Sequence, residues 1–199
     1  RIEILKKTKN RFINMNCMGF VLPDRENIDI DNHSDIHSIN MDIEAQNGKI
    51  IFITDGNSTI GSGHIYRTIT LASSTYPYES IIFCKETELA RQIFQRFEYN
   101  YMSYKDIEEL STKLKSYNIK TIVLDRLETS ESDFNALKKL NISIVSLEDY
   151  GDPAFKNANI IINSLYETSI KHDSLYSGYK YEAIRPDVIA FSSIQVNKS

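Results

Sequence analysis

Disulfide chemistry, membrane spans and positive charge are what this sequence has least of. Two cysteines, Cys17 and Cys84, stand far apart in 199 residues and form no Cys-x-x-Cys pair. That favours a reduced, cytoplasmic compartment over a disulfide framework. No apolar run approaches the roughly 20 residues a membrane span requires, and the charged, amphipathic opening RIEILKKTKN is not a signal peptide. Lys and Arg number 23 against 27 Asp and Glu, a formal charge of −4. With no basic field there is nothing to hold nucleic acid, and no polybasic segment to seat on a membrane surface. Tryptophan is absent, whereas tyrosine occurs twelve times. The sequence starts at Arg1 rather than methionine, and we expect it to be a piece of a longer polypeptide.

What remains is an ordinary globular composition, 41% hydrophobic and 25% charged. A chain of this length can bury roughly 70% of its unfolded surface. From Lys49 onward, short apolar runs alternate with amphipathic ones. KIIFIT (Lys49–Thr54), ESIIFCK (Glu79–Lys85), IKTIVLD (Ile119–Asp125), ISIVSL (Ile142–Leu147) and ANIIIN (Ala158–Asn163) predict strands. ETELARQIFQRF (Glu86–Phe97), YKDIEELSTKLKSY (Tyr104–Tyr117) and SESDFNALKKL (Ser130–Leu140) carry apolar residues at helical spacing. YNYMSYK (Tyr99–Lys105) alternates aromatics as an edge strand does. Continuous apolar strands between amphipathic helices predict an α/β fold: a Rossmann-like parallel sheet with helices on both faces. Ligands of such sheets sit beyond the carboxyl ends of the strands, so functional residues are expected in 55–64, 125–127, 148–151 and 163–166.

One such segment stands out. In STIGSGHIYRTITLA (Ser58–Ala72), Gly61 and Gly63 precede one of only four histidines, His64, and a helical pattern follows. A strand, glycines and a helix N-terminus are a local design for holding an anion. GxGxxG is absent because Tyr66 occupies the third glycine position, and GxxxxGK[ST] is absent too, so neither dinucleotide binding nor ATP hydrolysis is indicated. A histidine in that first turn feels the positive end of the helix dipole, which disfavours its charged form. The neutral ring can then take a proton from water beside a bound phosphate or sugar. The alternative is that His64 caps or packs against the loop. Asp125 and Glu148-Asp149, at strand ends, read either as carboxylates for acid–base work or as loop-orienting groups. His172, in a polar loop, reads as solvated.

These residues carry a resemblance. DGNSTIGSGHIYRTITLA resembles the D…GxGHxxRxxxLA opening of the UDP-sugar hydrolases of pseudaminic acid biosynthesis. Those enzymes are similar to glycosyltransferases of two Rossmann-like halves (glycosyltransferase-B-like). IVLDRLETSESDFNALKKLNISIVSLEDYGDPAFKNANIIINSLYE resembles the family's middle segment, and YSGYKYEAIRPDV its GxxYxxLRxEF signature. The likeness spans Lys49–Val188 and implies an N-terminal half-domain. By that resemblance His64 activates the water that attacks the anomeric carbon of a UDP-linked amino-deoxy sugar. Asp55, Gly61, Gly63, Arg67, Asp125, Glu148, Asp149, Tyr181 and Arg185 contribute to substrate binding. No cofactor is implied for this module. The family's Asp-Asp pair is here Glu148-Asp149, and LDRLETS replaces the commoner VDxY, which implies a divergent branch. Most uridine contacts in the two-half architecture belong to the second half, so this chain alone is expected to turn over poorly.

The first 46 residues differ in character, and Asn47-Gly48 marks the expected boundary between 1–46 and 47–199. One helix is expected over Ser34–Ala45. Asp29 and Asp31, two apart in an extended stretch, project to one face and suit Mg²⁺. His33 and His37 are four apart, but His33 falls before the expected helix, which argues against zinc. FVLPDRENIDIDNHSDIHSINMDI resembles the end of CMP-sialic-acid synthetases, in which the DID aspartates lie near the metal. An intact cytidylyltransferase domain upstream would therefore use Mg²⁺ at Asp29 and Asp31. A synthetase fused to a UDP-sugar hydrolase would serve one pathway, the making of activated nonulosonic acids such as pseudaminic, legionaminic or sialic acid. The expected alternatives are a cytidylyltransferase with an appended non-catalytic domain, and a nucleotide-sugar-binding module without catalysis.

Overall fold

The computed structural model describes residues 48–76, 78–148, 152–165, 173–185 and 188. The expected remnant 1–46, with Asp29, Asp31, His33 and His37, lies outside them, as do Asp149 and His172.

Seven strands form one sheet: β1 (Lys49–Thr54), β2 (Ser80–Lys85), β3 (Met102–Tyr104), β4 (Ile119–Asp125), β5 (Ser143–Leu147), β6 (Ile160–Asn163) and β7 (Leu175–Ser177). Their order is β3-β2-β1-β4-β5-β6-β7, and every neighbouring pair is parallel. The α-helices between them are α1 (Gly63–Ala72), α2 (Glu88–Arg96), α3 (Ile107–Leu114), α4 (Glu131–Lys138) and α5 (Asp152–Asn157). The fold is α/β and Rossmann-like, as the alternating pattern predicts.

Side-chain alternation along the strands builds two cores. Ile51, Ile53, Phe83, Ile122, Leu124, Ile144 and Ile161 pack on one face against Leu110 and Leu114 of α3 and Phe134 and Leu137 of α4. Their in-between neighbours Phe52, Ile82, Val123 and Leu147 pack on the other face against Ile65 and Ile69 of α1 and Ala90, Ile93 and Phe94 of α2. Phe83, Phe94 and Phe134 are fully buried; burial of each contributes about 1.5–3 kcal/mol. β3 is a terminal strand, with Tyr101 beside it stacked on Phe94 at a ring separation of 4.2 Å.

Helix starts follow local chemistry. Thr87 accepts from the Ala90 amide at 3.1 Å, Asp106 from Glu109 at 2.8 Å, and Ser130 from Asp133 at 3.1 Å. α1 differs: Ser62, its N-cap residue, makes no side-chain cap. A glycine is required just after β1. A Cβ on Gly56 would stand 2.3 Å from Ile65 Cδ1 and 3.3 Å from the Gly61 carbonyl oxygen. Gly56→Ala therefore forces the fully buried Ile65 side chain to shift. We expect a loss of about 1–3 kcal/mol in urea unfolding; an unchanged midpoint would show that this junction yields freely.

Candidate active site

β1 and β4 are adjacent although β2 and β3 intervene in sequence, so the direction of winding reverses between them. Ligand crevices of open α/β sheets form at such a point, beyond the strands' carboxyl ends. Asp55 follows β1, Asp125 ends β4 and Glu148 follows β5. Asp125 pairs in register with Thr54, so it shares a face with Val123 and Phe52 and points toward α1. On α1, His64, Arg67 and Thr68 fall at i, i+3 and i+4, one face of the helix. That face meets Asp125.

The contact is dense. Asp125 is fully buried. His64 Nδ1 lies 2.8 Å from Asp125 Oδ1. Arg67 donates from Nη2 to Oδ1 at 2.6 Å and from Nε to Oδ2 at 3.0 Å, a two-pronged grip, and Thr68 Oγ1 donates to Oδ2 at 3.2 Å. The remaining Arg67 prong, Nη1, donates to Glu148 Oε2. Burial pulls the Arg67 pKa down, but hydrogen bonds and charge attraction from Asp125, then Glu148, more than offset it and hold it above the ordinary arginine value. Arg67 Nη2 also stands 3.3 Å from His64 Nδ1. A guanidinium offers only donors, so that approach would need a bare Nδ1, whereas the Asp125 carboxylate takes an Nδ1–H; the closer contact, to the carboxylate, favours the Nδ1–H tautomer. Glu148 sits at φ 51°, a left-handed backbone conformation uncommon outside glycine, with its amide donating to the Ile162 carbonyl at 2.9 Å. Its Oε1 accepts from the Ser164 amide at 3.3 Å, and the Ser164 hydroxyl stands between that oxygen and Glu182 Oε2, with one proton to give to either.

A second network lies on the opposite face. Asp55 Oδ2 accepts from Arg126 Nε at 2.7 Å and Oδ1 from the Tyr104 hydroxyl at 3.1 Å, while Arg126 Nη1 donates to Asp133 at 3.0 Å. Burial pushes the Tyr104 hydroxyl pKa up, and the Asp55 charge adds to it. Burial and the Asp55 charge also push the Cys84 thiol up to about 12. Asp55, Tyr104, Arg126 and Asp133 tie the ends of β1 and β4 to β3 and α4, while Cys84 lies in the core on the α1 face.

The glycine loop is organised by Asn57. Its side-chain oxygen accepts from the amides of Thr59 and Ile60 at 2.8 and 2.9 Å, and its carbonyl from Gly61 at 2.8 Å, with Gly61 at φ 80°. Those three amides are occupied within the turn. The groups left for an anion are the first-turn amides of α1, which have no acceptor within the helix.

His64, Gly63, Arg67 and Glu148 line one hollow of about 410 Å³, together with Ile60, Leu127, Leu165 and Glu182. Asp125 stands behind His64 and Arg67 and reaches the hollow through them. Asp55 borders a separate hollow with Asn57, Lys85 and Thr87. Gly61 shapes the turn. Tyr181, packed edge-on to Tyr176 at 5.6 Å, borders an apolar cleft of about 280 Å³ over Val123, Val145 and Ile162 that also reaches Arg67 and Glu148. Arg185 is exposed farther along the chain. Sequence reasoning did not single out Thr68, Arg126, Ser164 or Glu182. The spacing of Thr68 from His64 on one helical face was the available signal for the first of these. Among the described residues, no group of three or more His, Cys, Asp or Glu could hold a metal ion, and no helix is long and apolar enough to cross a membrane.

No family model matches the chain. It is similar to an uncharacterized protein of Methanocaldococcus jannaschii, 24% identical over 127 residues, which are 62% of this chain and 26% of that protein. It is also similar to a putative metal-binding protein of Chlamydia muridarum, 24% identical over 100 residues, 50% of this chain and 35% of that protein. The chain thus spans about a quarter and about a third of the lengths of these two curated relatives.

Proposed function

We propose that this chain is the catalytic half of a nucleotide-sugar hydrolase that releases UDP from an amino-deoxy sugar, within a polypeptide of nonulosonic acid biosynthesis. The observation that carries the reading is the buried Asp125 carboxylate 2.8 Å from His64 Nδ1, at the first turn of α1 and on the rim of a hollow. A carboxylate behind a histidine fixes its ring and tautomer and turns the other nitrogen, Nε2, into the available base. Water held by Nε2 attacks the anomeric carbon. His64 takes its proton, the bond from carbon to the phosphate oxygen breaks, and UDP leaves with the electron pair. A diphosphate leaves readily without a proton donor, so one base suffices. The first-turn amides of α1 and the positive end of its dipole favour the charge that develops on the leaving oxygens. UDP-sugar is the expected ligand, with uridine held chiefly by a second half-domain, in keeping with the family resemblance.

Bond cleavage in ¹⁸O-labelled water tests this reading. The native protein, given UDP-linked diacetamido sugars, is expected to yield UDP and free sugar in equal amounts, with the label on the sugar. Label on a phosphate, or release of UMP and sugar phosphate, would mean attack at phosphorus and would end the proposal.

A further inference from the structure

One continuous chain of polar contacts links residues that line the hollow. From His64 the chain runs through Asp125 to Arg67, from Arg67 to Glu148, and from Glu148 to Ser164. Ser164 Oγ then lies 2.6 Å from Glu182 Oε2. Ser164 is buried, whereas Glu182 is exposed and lines the same hollow as His64. An exposed glutamate ordinarily samples many rotamers. Here one carboxylate oxygen lies within hydrogen-bond reach of a buried serine hydroxyl, and the other has no hydrogen-bond partner among the described residues. Glu182 forms no salt bridge among the described residues.

Charge assigns it a role. Glu148 and Glu182 both line this part of the hollow, which is therefore rich in acceptors and repels a phosphate. The α1 end, with its first-turn amides, attracts one. A nucleotide sugar therefore has one favourable orientation, with the diphosphate at α1 and the sugar against Glu148 and Glu182. Glu148 has both oxygens occupied, by Arg67 and Ser164. Glu182 has one open among the described residues.

We propose that Glu182 is a sugar-binding residue, its open oxygen accepting a hydrogen bond from a hydroxyl or amide N–H of the sugar opposite His64. The proposal rests on the nucleotide-sugar reading above, and binding measurements separate the two. The test is titration calorimetry of the full-length protein carrying His64→Ala, which slows consumption of ligand, with UDP and with UDP-N-acetylglucosamine as probes. The sugar is expected to tighten binding over UDP alone by about 10- to 100-fold, the size of a hydrogen bond to a charged group. Adding Glu182→Ala is expected to remove that gain and leave UDP affinity unchanged. Retention of the gain overturns the role of Glu182 while UDP release by the unmodified protein still upholds hydrolysis. A gain dependent on Glu182 in a protein that releases no UDP upholds the sugar contact and overturns hydrolysis. Binding of neither probe overturns both. Because Glu182 is exposed, the unfolding midpoint of Glu182→Ala is expected to match that of its parent, which separates a lost contact from a damaged fold.

Discussion

Replacing His64 with alanine in the native protein is expected to slow UDP release by about 10²- to 10⁴-fold, the usual contribution of a positioned general base. The protein should stay folded. Without the ring, Asp125 still holds three hydrogen bonds, two from Arg67 and one from Thr68, so no buried carboxylate is stranded. The ring itself sits at the rim, with 14% of its side chain exposed, and its removal opens no sealed cavity. The readouts are therefore the turnover rate and, as a control, the unfolding midpoint. A rate within twofold of the unmodified protein would remove His64 from the mechanism. A collapse in stability would mean that the imidazole serves the fold instead.

β1, β2, β4, β5 and β6 were legible because each is a continuous apolar run between helical patterns. Lys49–Thr54 and Ile119–Asp125 match their strands residue for residue. α1 begins at Gly63, where the glycine pair ends. β7 and α5 were not legible. β7 is three residues, too short to show alternation, and α5 is six residues beginning Asp-Pro, with less than two turns of periodicity. His64 was visible in the sequence because a glycine pair and a helix start are local signals. Its relation to Asp125 was not, since the two are 61 residues apart and meet only because β4 inserts beside β1. The same topology parts Asp55 from Asp125. One ends up bonded to Arg126 and the other to Arg67, because consecutive positions at neighbouring strand ends face opposite sides of the sheet. Ser164 fell within the strand-end segment 163–166 without any signal for its role, and Glu182 lacked a local signal. Their importance comes from a single hydroxyl placed between two carboxylates that are 34 residues apart in sequence (Glu148 and Glu182).

Asp125→Asn should be the most destabilising single change in the site, and it acts on two separate scales. The first is stability. The substitution keeps the volume but removes a buried negative charge that Arg67 grips with two donors, and leaves an amide group among donors. Breaking a buried ion pair costs about 3–5 kcal/mol. Glu148 still holds the third prong of Arg67, so the loss belongs near the lower end, about 3 kcal/mol, read as a shift in urea midpoint at constant slope. The second scale is turnover. An asparagine can direct its amide at His64 Nδ1, which forces the proton to Nε2 and removes the base, an effect of about 10⁴-fold where a carboxylate orients a catalytic histidine. Combining Asp125→Asn with His64→Ala decides whether the carboxylate acts through the ring. Residues that work as one unit are not additive, so the double variant should be no slower than His64→Ala alone, while retaining the stability loss of Asp125→Asn. A multiplied rate loss would mean that Asp125 reaches the substrate by a route other than His64, most directly through the Arg67 guanidinium that it holds at the edge of the same hollow.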